Sequence, residues 1–262
     1  MRRAVLFDLS GVLYDGDAVI SGARAAVARA QASDLQVRFI TNTSQKTRQQ
    51  LLEHLGRLGF EVRPGQLFTA VDAARDWLRE HSLQPYCLVH HNVRSEFDEF
   101  DQASPNAVLI ADAAEDFTYA NLNRAFQLCM DGAPLLGVGY NRYFKSGDEL
   151  LMDVGAFIRA VEFAAGVEAT IVGKPGQAFY QQVLASAGVE PGEALMIGDD
   201  VIGDVEGARK AGIPACLVQT GKYRRGGSQW CRRCRRRPKQ KSGRVGILFN
   251  CWAAAPATPT AP

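Results

Sequence analysis

The stretch Ala4-Val5-Leu6-Phe7-Asp8-Leu9-Ser10-Gly11-Val12 decides how the rest of the chain is read. A short apolar run of this kind, closed by a polar residue and a glycine, predicts a buried strand followed by a turn. Asp8 therefore stands at the carboxyl end of a strand, with Ser10 in the turn beyond it.

Working outward, the same pattern recurs in VRFITN (37–42), ATIVG (169–173), ALMIGD (194–199) and PACLVQT (214–220). Each is short, apolar and closed by turn or polar residues, the signature of a parallel strand buried on both faces. Amphipathic segments lie between them. After the second run Thr43 or Ser44 is placed to cap a helix that carries Leu51, Leu52, Leu55 and Leu58 on one face and ends near Gly59. Strands alternating with helices imply right-handed crossovers, and the layout predicts an α/β fold with a doubly wound, Rossmann-like parallel-sheet core. The middle third has strand candidates of its own, CLVHH (87–91), AVLIAD (107–112) and PLLGVG (134–139), with helix candidates FTYANLNRAFQLCM and GAFIRAVEFAAG. The expected division is a first core part at 1–71, an inserted α/β cap at 72–171, a second core part at 172–226 and an atypical basic tail at 227–262.

With 262 residues, 47% of them apolar, the chain can bury a sizeable core. No apolar run approaches the roughly 20 residues of a membrane span, and Met1-Arg2-Arg3 leads into a strand without a signal-peptide pattern. A cytoplasmic protein with no membrane partner is expected. The six cysteines are scattered, which suits reduced thiols better than a disulfide scaffold. The formal charge of +2 averages two unlike regions. Residues 222–262 hold 11 of the 30 bases and none of the 28 acids, so the first 221 residues carry 19 bases against those 28 acids, about −9 net. A nucleic-acid partner is thereby confined to the basic tail.

Four of the strands end in chemically useful groups: Asp8, the pair Thr41-Asn42, Lys174 in Gly173-Lys174-Pro175, and the pair Asp199-Asp200. In an open parallel sheet the carboxyl ends line one crevice, where these distant residues meet. Singly, each has an ordinary explanation as a turn, a loop or a surface lysine. Together they make a phosphate site. Asp8 and Asp199 are hard oxygen donors suited to Mg²⁺, which takes few carboxylates. Thr41 offers a hydroxyl, Asn42 and the turn after it offer donors beside a helix N-terminus, and Lys174 offsets the crowding of negative charge. An aspartate so placed can attack phosphorus and form an aspartyl-phosphate that water cleaves.

The ordered set DLSGV (8–12), ITNT (40–43), VGKP (172–175) and IGDDVIGD (197–204) resembles the four motifs of the haloacid dehalogenase superfamily of phosphohydrolases, over about residues 4–226. The long insertion between the second and third motifs is similar to that of the subclass with a large cap. Longer runs, among them VRFITNTSQKTR, PNAVLIADA and VEFAAGVEATIVGKP, are most similar to the superfamily's phosphatases of inorganic pyrophosphate, phospholysine and phosphohistidine. The resemblance implies Mg²⁺-dependent dephosphorylation of a phosphorylated small molecule or phosphoprotein, and a homodimer. It implies that Asp8 is nucleophile and metal ligand, that Ser10 lies against the substrate and gives its backbone carbonyl to the metal, and that Asp199 is the other carboxylate ligand. By the same resemblance Thr41 and Asn42 hold the phosphoryl group and Lys174 neutralises it. Asp200 and Asp204 are candidates for orienting the ligands from outside; for Asp204 a helix cap is the alternative.

Ser10 departs from the superfamily's usual pattern, in which a second aspartate two residues after the nucleophile serves as general acid and base. A serine hydroxyl is a weak acid at neutral pH, and losing such a group commonly costs about 10²–10⁴ in rate. One reading is a substrate whose leaving group departs unaided, as phosphate from pyrophosphate or an amine from an N-phosphorylated residue. The other is a catalytically weak phosphate-binding or scaffold protein of the same fold.

Remaining features carry less. Asp153 and Arg94 are polar cap residues that read as solvated, His90 and His91 lack a second ligand cluster, and Tyr140, Arg142, Tyr143 and Lys145 read as cap structure. In the tail, Cys231 and Cys234 form one CxxC without the second pair a zinc ribbon needs. The tail reads either as an arginine-rich arm for nucleic acid or anionic lipid, or as a change of reading frame near Gly226.

Overall fold

The computed structural model describes residues 1–146 and 149–222. In chain order its elements are β1 (Ala4–Asp8), the small hairpin β2 (Tyr14–Asp15) and β3 (Ala18–Val19), α1 (Ala23–Gln31), β4 (Gln36–Thr41), α2 (Arg48–Arg57), β5 (Leu67–Thr69) and α3 (Ala70–Glu80). Next come β6 (Pro85–Leu88), β7 (Ala107–Ile110), α4 (Tyr119–Met130), β8 (Leu135–Gly137), the hairpin β9 (Tyr143–Ser146) and β10 (Glu149–Met152), and α5 (Val154–Ala165). The chain continues through β11 (Thr170–Ile171), α6 (Gln177–Ala187), β12 (Ala194–Gly198), α7 (Gly207–Lys210) and β13 (Ala215–Leu217).

Five strands form a parallel sheet in the order β13-β12-β1-β4-β5. Side chains alternate across a strand, so β1 splits its residues between two apolar layers. Ala4 and Leu6 join Ile40 and Met196 beneath α3 and α6, whereas Val5 and Phe7 join Val37 and Phe39 beneath α1 and α2. Helices thus cover both faces of the sheet. Leu6 and Phe39 are fully buried, each contributing about 1.5–3 kcal/mol of transfer free energy.

A second parallel sheet runs β11-β8-β7-β6. Its Leu109, Leu136 and Val138 belong to the same apolar cluster as Leu6 and Phe179, while Val108, Ile110 and Leu135 face the other way under α4 and α5.

Three local expectations change. The run ATIVG contributes only Thr170–Ile171 as a strand, and this pairs with Leu136 and Gly137 of the second sheet, not with the first. The first sheet takes Leu67–Thr69 as its edge instead. The cap of α2 is neither Thr43 nor Ser44 but Thr47, whose hydroxyl accepts from Gln50 N while the Gln50 side chain accepts from Thr47 N, a capping box. Of the four leucines expected on the buried face of that segment, Leu51, Leu55 and Leu58 are buried and Leu52 is half-buried. Cys87 and Cys129 are free thiols, but Cys216 is disulfide-bonded, against the expectation of reduced thiols throughout. The basic tail, including Cys231, Cys234 and the Gly226 break, lies outside the described residues.

Candidate active site

The carboxyl end of β1 delivers Asp8 and that of β12 delivers Asp199. Lys174 enters from the segment after β11, and its Nζ lies 2.5 Å from Asp8 Oδ1 and 2.6 Å from Asp204 Oδ1. Carboxylate oxygens of Asp8, Asp199 and Asp204 all come within 4.8 Å of one another. Every member of this group is at most 6% exposed. Asp204 reaches it from the π-helical turn Val201–Glu206. The capping role left open for Asp204 falls to Asp200, whose Oδ1 accepts from the backbone N–H groups of Ile202 and Gly203. Asp204 Oδ2 in turn accepts from Asp200 N, and Tyr180 Oη donates to Gly203 O at 2.7 Å, which fixes the turn.

Burial and crowding set the electrostatics. Burial pushes the Asp8 carboxyl up to about 6, with Lys174 opposing the shift. Burial, then Asp8 and Asp204, raise Asp199 well above the usual carboxylate range. Burial works against the Lys174 charge, yet Asp204 and Asp8 outweigh it and hold the ammonium well above its ordinary value. Three buried carboxylates beside one cation are a donor set that a hard divalent cation fits, since it would relieve their mutual repulsion.

The other predicted residues are nearby but engaged differently. Asn42 spends both ends of its amide on Lys174, accepting from Lys174 N at 2.9 Å and donating to Lys174 O at 2.7 Å. It is a clamp that ties β4 to the lysine. The Thr41 hydroxyl is buried in a turn with Thr43, accepting from Thr43 N at 3.0 Å. Ser10 is exposed just past Asp8.

Gly11 has φ +82°, and a Cβ there would fall 2.2 Å from Asp199 Oδ2; Gly221, at φ +55°, would place one 2.1 Å from the same oxygen. Both positions exclude side chains so that two loops can close on Asp199.

Sequence reasoning misses Lys222, whose neighbours in the chain group it with the basic tail. Its N–H donates to Asp199 Oδ2 at 2.7 Å and its Nζ lies 3.3 Å from Asp200 Oδ2. The available signal is its place just after β13, one more strand opening on the same crevice.

The second sheet supplies the opposite wall. Asp112, just after β7, accepts from Gln45 Nε2 at 2.6 Å, and its own N–H donates to Ser44 Oγ. Gly139 packs against the Asn42 amide, and Asn141 lies beside Gly203. Asp153 is not solvated as expected: it is half-buried and caps α5 by accepting from Val154 N, while Gly155 N donates to Asn141 O at 3.0 Å. Arg94 is exposed and pairs with Asp116. His90 and His91 pack ring against ring, and the metal-ligand group found among the described residues does not include them.

The sequence profile of haloacid dehalogenase-like hydrolases matches residues 5–103, and that of HAD-hydrolase-like proteins matches 171–239, which runs past the 226 boundary expected for the resemblance. The phospholysine phosphohistidine inorganic pyrophosphate phosphatase of Rattus norvegicus is 48% identical over 230 residues, 86% of this chain and 85% of the relative. Haloacid dehalogenase-like hydrolase domain-containing protein 2 of Bos taurus is 43% identical over 222 residues, 85% of this chain and 86% of the relative. Among solved structures, a 4-nitrophenylphosphatase from Thermotoga maritima shares the fold with a TM-score of 0.78 at 22% identity, covering 85% of this chain and 88% of that one.

Proposed function

The chain belongs to the haloacid dehalogenase superfamily as one of its phosphatases, and from that premise we propose that it is a Mg²⁺-dependent phosphohydrolase acting on inorganic pyrophosphate and N-phosphorylated substrates such as phospholysine and phosphohistidine. The observation that carries this reading is Lys174 bridging Asp8 and Asp204 beside Asp199 in one buried cluster.

In the proposed reaction an Asp8 oxygen attacks phosphorus while the bond to the leaving atom breaks and its electron pair departs with the leaving group. Water then cleaves the aspartyl-phosphate, restoring the carboxylate and releasing inorganic phosphate. Lys174 holds Asp8 in place and offsets the charge that gathers when a phosphoryl group enters. Asp8, Asp199 and the Ser10 carbonyl would hold Mg²⁺, with Asp204 beside them; the ion would supply charge stabilisation for the transferring phosphoryl group. The region of the second sheet acts as the cap that covers the crevice and excludes water.

The competing reading, a phosphate-binding protein that turns over poorly, is favoured by Ser10 alone. Phosphate release with Mg²⁺ from pyrophosphate, phospholysine, phosphohistidine and an alkyl phosphate separates the two. Release from the anhydride or nitrogen-linked substrates, abolished in Asp8→Asn, is expected; a folded, Mg²⁺-binding protein that releases nothing from any of them would be the binding protein.

A further inference from the structure

Above the cluster the crevice has another acidic feature that the proposed hydrolysis does not use. Asp153 begins α5, its N–H donates to Arg142 O at 3.2 Å, and Gly155 N donates to the carbonyl of Asn141, whose side chain lies beside Gly203 of the catalytic turn. The start of α5 is thereby fixed against that turn, with the Asn141 amide favouring the Asp153 charge. Lys222 stands between the walls. It interacts with Asp200 and Asp199 below, with Asp153 above and, beyond them, with Asp8. A carboxylate here raises the cost of placing any anion over the phosphoryl site, where carboxylates already outnumber lysines. That cost is offset only if the substrate brings positive charge of its own. A carboxylate can accept up to about four hydrogen bonds. Val154 N and Asn141 take part of that capacity, and the remainder suits N–H donors from a ligand.

Resting on the functional reading above, we propose that Asp153, held by Asn141, selects substrates whose leaving group is cationic, such as the ammonium or imidazolium side of an N-phosphorylated amine. Phosphorus sits over Asp8, and the departing nitrogen points across the crevice toward the α5 end. The protonated nitrogen takes the electron pair of the broken P–N bond and leaves as an amine beside a counter-charge. Pyrophosphate, whose leaving group is an anion, meets repulsion at the same place. Asp153 thus ranks the two substrate classes without taking part in bond breaking.

The test is the ratio of kcat/KM for phospholysine to that for pyrophosphate in Asp153→Asn, with Mg²⁺ present. Asparagine keeps the helix cap, because it is as good an N-cap residue as aspartate, and removes only the charge. The ratio is expected to fall roughly tenfold, with KM for phospholysine rising and kcat/KM for pyrophosphate also rising. Lys222→Met, which keeps the backbone N–H on Asp199, is expected to move the ratio in the opposite direction. An unchanged ratio in both variants, or an equal fall for both substrates in Asp153→Asn, overturns the proposal while leaving the hydrolase reading intact. Wild-type protein that releases phosphate from neither substrate overturns both.

Discussion

At the scale of single residues, Ser10 sets the chemistry that the site can perform without help. It lies two residues past Asp8, the proposed nucleophile, and is exposed; a carboxylic acid at this position could protonate a departing alkoxide and a serine hydroxyl cannot. An alkoxide needs that proton far more than phosphate or an amine does. Ser10→Asp is therefore expected to raise turnover of an alkyl phosphate more than turnover of pyrophosphate, measured as kcat for each with Mg²⁺. Equal or lower turnover of both would show that the serine is not what limits the substrate range. Several site residues are legible from strand ends alone, because a parallel sheet gathers them whatever the loops do. Lys222 and Asp153 are not. Lys222 opens a run of bases that masks it, and Asp153 has the sequence context of an ordinary helix cap until Asn141 and Lys222 are placed around it.

At the scale of elements, α2 and the β2–β3 hairpin meet at His54. The ring is 2% exposed, stands edge-on to Tyr14, and has Arg57 within 3.4 Å and the exposed Asp17 carboxylate at 3.7 Å from Nδ1. Among the described residues its Nε2 has no hydrogen-bond partner. Burial, then Lys46, depresses its pKa below the ordinary 6.5, with the Gly16 backbone and then Asp17 opposing. A depressed value means that the folded state holds this ring neutral while the unfolded chain takes up a proton. The stability it contributes is full above about 6.5 and is lost as pH falls through the folded value. The raised Asp8 and Asp199 carboxyls act in the opposite direction in both proteins, so the His54 effect is a difference: between about pH 7.5 and about pH 5 wild type should lose more thermal stability, or gain less, than His54→Gln. Identical changes would assign the acid sensitivity to other groups. The elements also show where pattern reading stops. An apolar run announces a strand but not its partner, so the sheet that Thr170–Ile171 joins is not the one its pattern suggests, and Leu67–Thr69 is too short to announce itself. The cap of α2 is readable, since Thr47 and Gln50 have capping-box spacing; Ser44 is used instead to reach Asp112 across the crevice.

At the scale of the whole molecule, the buried acids are placed where the two sheets meet, and one apolar cluster runs from Leu6 and Met196 of the first sheet to Leu109 and Val138 of the second. Lys174 and Asn42 add a polar tie across the same junction. Repulsion among Asp8, Asp199 and Asp204 therefore strains more than the site itself, because the strands and turns that carry them also hold the sheets together. A divalent cation that binds only the folded state stabilises it by mass action, about 2.7 kcal/mol when present at about 100 times its Kd. Mg²⁺ should accordingly raise the midpoint of thermal unfolding in a concentration-dependent way, and a chelator should reverse it. Asp199→Asn removes a buried carboxyl whose ionisation burial, Asp8 and Asp204 oppose, together with a proposed ligand, so this variant should match or exceed wild type in chelator yet gain little from Mg²⁺. If instead it gained as much as wild type, the ion would be acting elsewhere on the protein, and the buried cluster would owe its survival to Lys174 and Lys222 alone.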